Sequence, residues 1–207
     1  LRDDGKIHRC PTLEHPRSDN GAYAFDGKRG WCMAWDAGGE THWYGADPKE
    51  WTPEERAAWK DRQRAEYQAK LAGYANAARR AEELIGRCTM QEHGYLRLKG
   101  HGKTRGLVTG DDVLVVPMRN PRTARLQGAQ LISYDGEQWV KKMLYGMKSK
   151  GAVMRLGPLR TTLTILCEGF ATGLSIEAAV HQMRLRAEIL VCFSDSNMVH
   201  VAETVNS

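Results

Sequence analysis

Apolar and polar positions divide the 207-residue chain into four stretches of different period. Residues 1–50 set aromatics (Tyr23, Phe25, Trp31, Trp35, Trp43, Tyr44) between the dipeptides Asp4-Gly5, Asn20-Gly21, Asp26-Gly27 and Gly38-Gly39. Glycine reaches left-handed backbone without steric cost, and Asp or Asn bonds its own main chain, so short strands joined by tight turns are predicted. This stretch is expected to be a small β-rich module.

Residues 51–92 open with Thr52-Pro53-Glu54-Glu55: a hydroxyl N-cap, a proline at the first helical position, and a glutamate three residues after the cap. Alanines with Tyr67, Leu71, Tyr74, Leu84 and Ile85 carry the helical pattern to Gly86, which can stop it. One long helix is predicted, or two that meet at Gly73. Basic and acidic residues alternate along it as on an exposed face, so it reads as a helical spacer.

In residues 93–160 the runs 112–117 and 127–134 read as strands, with Asn120-Pro121 and Asp135-Gly136 as turns. In residues 161–207 the apolar run Leu163-Thr164-Ile165-Leu166-Cys167 precedes a helical pattern over 171–183. A second run, Ile189-Leu190-Val191-Cys192-Phe193, precedes another helical pattern from Met198. Strand, helix, strand, helix with apolar strands predicts a parallel sheet covered on both faces. The expected fold class is therefore α+β / α/β: a β module, a helical spacer, a mixed β segment and a partial parallel sheet.

Composition narrows the class. Hydrophobic residues at 42% and charged residues at 27% suit a globular protein and exclude a disordered tail. No window supplies the roughly 18 uncharged apolar residues of a bilayer span, and Leu1-Arg2-Asp3-Asp4 has no signal-type apolar core. Neither secretion nor membrane insertion is expected. The five cysteines (Cys10, Cys32, Cys88, Cys167, Cys192) are scattered, which reads as reduced thiols of a cytoplasmic protein. Cys10, His15, Cys32 and His42 lack the paired spacing of zinc knuckles, so zinc is not expected.

Charge changes the picture more. Lys and Arg total 30 against 25 Asp and Glu, but residues 93–160 carry 13 basic side chains against 4 acidic ones, while residues 161–207 carry 2 against 5. A localised field of this sign attracts polyanions, because neutralising phosphates releases their counterions. The alternative is a solvated basic face.

Ligands of parallel α/β sheets collect at the carboxyl ends of the strands. Glu168 is predicted at such an end, at the start of a helix where a carboxylate is favoured, with Gly169 leaving room for a ligand. A carboxylate there is a hard oxygen ligand suited to Mg²⁺. Asp195 is predicted at the end of the next strand. The bland readings are that Glu168 only caps a helix and that Asp195 is an N-cap.

The segment Leu163 to Ser175 (LTILCEGFATGLS) resembles the opening strand, glutamate and helix of a Toprim domain, in the version found in phage and plasmid primases and primase-helicases. In the same order, His93-Gly94-Tyr95-Leu96 resembles that family's His-Pro-Tyr-Leu box, with Gly94 in place of proline. Lys148-Ser149-Lys150-Gly151-Ala152 resembles its Lys-Lys-Gly segment, and Phe193-Ser194-Asp195-Ser196-Asn197 resembles the turn after its second strand. The resemblance implies a DNA primase, a template-directed nucleotidyltransferase using Mg²⁺ or Mn²⁺. Its partners would be single-stranded DNA, nucleoside triphosphates and a helicase domain or protein, in the cytoplasm of a bacterial host.

It further implies Glu168 as catalytic group and metal ligand and Asp195 as a second metal-site acid. Lys99, Lys103, Arg105, Arg119, Lys148 and Lys150 are the expected phosphate contacts. One departure stands out: no Asp-x-Asp follows Asp195 before Ser207, where the family carries its remaining metal ligands. The chain is then expected to be either a catalytic-core fragment or a shortened, non-catalytic nucleic-acid-binding or inhibitory relative. A Toprim nuclease, with water as nucleophile, uses the same acids.

Overall fold

In the computed structural model, which describes residues 1–35, 40–45, 52–159 and 161–205, three sheets and four helices form a mixed α+β protein among the described residues. Two compact units are present, Leu1–Ala65 and Glu66–Ser207. None of the described helices is long and apolar enough to cross a membrane.

In the first unit, β1 (His8–Cys10), β2 (Gly21–Phe25), β3 (Gly30–Ala34) and β4 (Thr41–Tyr44) form an antiparallel sheet in that order. Asp26-Gly27 makes the predicted turn between β2 and β3, with Gly27 at φ +89°. The Asp26 carboxylate accepts from the N–H groups of Arg29 (2.8 Å) and Lys28 (3.1 Å). Those bonds, that of Arg29 foremost, hold its carboxyl below the usual range. The expected Gly38-Gly39 turn lies outside the described residues. Ala22 and Ala24 are buried while Trp43 and Tyr44 are exposed, so the aromatics of β4 are not core.

Helix α1 (Pro53–Gly86) begins as its sequence dictates. Thr52 Oγ1 accepts from the Glu55 N–H, and Glu55 Oε2 accepts from the Thr52 N–H, a reciprocal capping box. Gly73 does not interrupt it. Within the second unit, its Ala77 is fully buried in a cluster with Met118, Met147 and Ala152. Alanine at this point lets the helix approach the sheet closely.

The second unit continues with β5 (Thr89–Gln91), α2 (Gly94–Leu98), β6 (Gly106–Val108), β7 (Leu114–Arg119), β8 (Leu126–Tyr134) and β9 (Trp139–Met143). These strands form a five-stranded antiparallel meander. Basic residues of this segment lie in strands as well as in turns, since Lys141 and Lys142 belong to β9. Three strands that sequence pattern left unassigned (β5, β6, β9) complete the sheet, being too short or too polar to show a period of two. A register shift between Met118 and Arg119 bulges β8 at Gln127: Met118 pairs with Gly128 and Arg119 with Leu126.

The last quarter forms a separate three-stranded sheet of β10 (Met154–Leu156), β12 (Glu188–Val191) and β11 (Thr164–Cys167), in that spatial order. β11 and β12 run parallel, joined through α3 (Phe170–Gln182), and α4 (Asp195–Val205) follows β12. The sheet is mixed rather than wholly parallel, because β10 pairs with β12 antiparallel. Its strands are apolar because both faces are covered: Ile189 and Val191 join one buried cluster, Leu190 and Cys192 another. At Gly173 of α3 a Cβ would come within 2.6 Å of Val191 Cγ2, so only glycine allows this helix to seat on β12. A bridge between Arg119 and Val153, closed by hydrogen bonds of 2.7 and 2.8 Å, links the end of β7 to the approach of β10.

Candidate functional site

Glu168 follows β11 directly and precedes Gly169, the N-cap of α3. No side chain caps α3, so Glu168 is not spent as a helix cap. Its carboxylate is exposed and makes no ion pair or hydrogen bond with any described residue, which leaves it free for an external ligand. Gly169 is not demanded sterically: its backbone is extended, at φ −102°, and a Cβ would meet only Thr172 Oγ1, at 3.4 Å.

The corresponding position after β12 differs from expectation. The N-cap of α4 is Ser194, whose Oγ accepts from the Asn197 N–H at 3.2 Å and whose carbonyl accepts from Met198. Asp195 is the first residue inside the helix, and its Oδ1 accepts from the Ser196 N–H at 2.6 Å. The two strand ends are joined by main-chain bonds from Cys192 N–H to Cys167 O and from Phe193 N–H to Glu168 O, both 2.8 Å.

The expected phosphate contacts fall into two loops. Lys99 is the C-cap of α2, Lys103 lies in the following turn, and Arg105 stands immediately before β6. All three are exposed. This loop is fastened to α3 by His101, whose Nε2 lies 3.1 Å from both Ala171 O and Ser175 Oγ. A carbonyl oxygen only accepts, so Nε2 carries the proton. Lys148 and Lys150, also exposed, lie in the loop between β9 and β10. That loop is fastened to α4 by Asn197, which is buried. Its Oδ1 accepts from Gly151 N–H at 2.7 Å, and its Nδ2 donates to Ala152 O (2.9 Å) and Cys192 O (2.7 Å). Gly151 stands at φ +78°, a conformation that disfavours any side chain. Arg119 ends β7 with its guanidinium on Ala124 O at 3.1 Å, so part of its donor set is already used.

Thus each cationic loop is pinned to the first turns of a helix that begins at the carboxyl end of a parallel strand. His101 and Asn197 were not among the sequence candidates. The second stands within the quoted turn motif, but its partners are 45 and 46 residues away.

His93, first residue of the His-Gly-Tyr-Leu box, is buried. It caps α2 through Nδ1, which accepts from Tyr95 N–H at 3.3 Å, and its Nε2 lies 3.0 Å from Asp112 O. Its ring meets Trp139 edge-on at 5.0 Å, a structural role.

A cavity of about 570 Å³ opens between the Lys148–Gly151 loop, the end of β12 and one face of α4. Lys150 and Phe193 line it; Glu168 and Asp195 do not. Among the described residues no group of three or more His, Cys, Asp or Glu is placed to hold a metal. Glu168 therefore fits a divalent ion as a single carboxylate ligand, which suits Mg²⁺ only where phosphate oxygens and water complete the shell. Compared with protein-family models, with curated proteins and with solved structures, the chain matches none.

Proposed function

We propose that the chain acts in template-directed primer synthesis on single-stranded DNA, as the catalytic core of a Toprim-type primase of a phage or plasmid. The observation that carries this reading is the fastening of both basic loops, through His101 and Asn197, to the helices that follow β11 and β12. Glu168, exposed and unpaired among the described residues, lies at the end of the first of these strands.

In this reading Lys99, Lys103 and Arg105 track the template backbone, and Lys148 and Lys150 clamp phosphates of the incoming nucleotide. Arg119, partly committed to Ala124, contributes charge more than bidentate recognition. Glu168 would hold the Mg²⁺ or Mn²⁺, which when bound neutralises phosphate charge and acidifies an attacking hydroxyl. Asp195, engaged with the Ser196 amide, would support that site from the start of α4, the helix that follows the neighbouring strand. The work takes place in the cytoplasm of a bacterial host, alongside a helicase.

One observation favours a second reading. With no cluster of three ligating groups among the described residues, the same platform can bind nucleic acid without chemistry. Incubating the chain with single-stranded DNA, ribo- and deoxynucleoside triphosphates and Mg²⁺ or Mn²⁺ separates the two. Primer synthesis that Glu168→Gln abolishes, with DNA affinity retained, supports the enzyme. Synthesis unchanged by that variant removes Glu168 from its role, and DNA binding without any synthesis favours the non-catalytic protein.

A further inference from the structure

The geometry points to the cavity beside α4 as a binding site for a nucleotide, an inference that rests on the preceding reading for its ligand class and adds where and how that ligand is held. Its volume of about 570 Å³ lies within the range of small-molecule sites. On the α4 side the wall is one helical face, formed by Ser196, Val199, His200 and Glu203 at spacings of three, one and three. Over the seven steps from Ser196 to Glu203 a helix rises about 10 Å. That is the reach of a nucleotide from its phosphate to the far edge of its base.

The chemistry of the wall changes along this distance. At the N-terminal end of α4 stand the hydroxyls of Ser194 and Ser196. Lys150 is held beside them, because the N–H of the next residue, Gly151, is bound by Asn197. The ammonium of Lys150 makes no ion pair with any described residue. His200 completes this end: its ring packs on Gly151, where an added Cβ would lie 3.4 Å from Cδ2 and Nε2. Val199, Phe193 and Met143 line the cavity with apolar surface suited to a flat heteroaromatic ring. One full turn beyond Val199 is Glu203, an acceptor-only group. It repels a second phosphate and receives amino or ribose hydroxyl donors, so the ligand has one anionic end and a donor at the other.

This is not a bare helix terminus. The Asn197 amide is already bound by Ser194 Oγ and the Ser196 amide by Asp195, so a phosphate here is held by side chains. Phe193, which lines the same cavity, has a strained backbone. It holds left-handed backbone at φ +69°, an outlier for a bulky residue, with its N–H fixed on Glu168 O. Left-handed backbone at a bulky residue is uncommon, and this residue is one of those that line the cavity.

Isothermal titration of the 207-residue chain with ATP, and separately with tripolyphosphate, without DNA or divalent metal, tests the site. ATP should bind, and tripolyphosphate at least about tenfold more weakly, since it lacks the group that fills the apolar wall. Lys150→Ala and Val199→Trp should each weaken ATP by about tenfold or more, one by removing the charge and the other by filling the space. Both positions are exposed, so unchanged melting curves are expected. Equal affinity for the two ligands, no ATP binding, or full affinity in Val199→Trp overturns the assignment. ATP binding without primer synthesis would count against the primase reading alone, whereas synthesis with a Val199→Trp variant of normal ATP affinity would count against the cavity alone.

Discussion

The side chain of Asn197 accepts a 2.7 Å hydrogen bond from the backbone N–H of Gly151, 46 residues earlier in the chain. With its two further bonds, to Ala152 O and Cys192 O, it locks a lysine-bearing loop onto the first turn of α4. The loop's charge is local sequence, but its position is set from a distance.

Asn197→Ala should therefore be felt twice. Three buried bonds are lost and their main-chain partners are left unsatisfied, which costs about 2–4 kcal/mol in chemical denaturation. Nucleic-acid affinity should fall as well, although residue 197 carries no charge. Denaturation showing the full loss while DNA affinity stays unchanged would mean that the loop's position is immaterial to binding.

Lys148→Ala with Lys150→Ala tests the loop directly. Each phosphate contact to a single strand contributes about 0.7 to the slope of log affinity against log salt, so the double variant should flatten that slope by about 1.4. A slope equal to that of the unaltered chain would show both lysines to be bystanders.

Thiol chemistry separates the cysteines. Burial, with a smaller contribution from neighbouring Cys167, pushes the Cys192 thiol up to about 12, and burial raises Cys167 as well. The thiolate is the nucleophile, so at pH 8 iodoacetamide should label exposed Cys32 first and reach Cys167 and Cys192 only in denaturant. Peptide mapping after timed alkylation reads the order; early labelling at Cys192 would contradict its packing.

Acid should loosen two turns. Asp135 Oδ1 accepts from the N–H groups of Gln138 (2.8 Å) and Glu137 (2.9 Å), and these bonds, Gln138 first, lower its carboxyl as those in the β2–β3 turn lower Asp26. A depressed carboxylate stabilises the fold above its unfolded value, near 4. That contribution fades as pH falls through the lower, folded value. Melting temperatures taken from pH 6 down to pH 2 should decline in that window, and less steeply in Asp135→Asn. Identical pH profiles for the variant and the parent would argue that the turn bonds are not formed.

How much of this was legible in the sequence follows the range of the forces involved. The capping box at Thr52 and Glu55 lies within four residues and was readable, as were the Asp26-Gly27 turn and the apolar runs that became β11 and β12. The antiparallel partner β10 was not, because Met154–Leu156 is three residues long and gains its strand identity only from β12. The alternative reading of Asp195 as an N-cap misses by one residue: Asp and Ser serve equally well there, and Ser194 takes the position. His101 was unreadable as a positioning residue, since its partners Ala171 and Ser175 are 70 and 74 residues away.

The bulge at Gln127 has one last consequence. Side chains along a strand alternate faces, so one supernumerary residue sets the phase of everything between it and the nearest turn. Excising Gln127 alone would return the ladder to strict alternation and turn Leu126 toward the opposite side of the meander. It would also change the register beside Arg119, whose bridge to Val153 is one of the ties between the meander and the smaller sheet. A single codon deletion there would thus disturb one tie between two sheets that also share a core of Leu114, Val116 and Ile132 with Ile189 and Val191, while leaving every charged group in the chain intact.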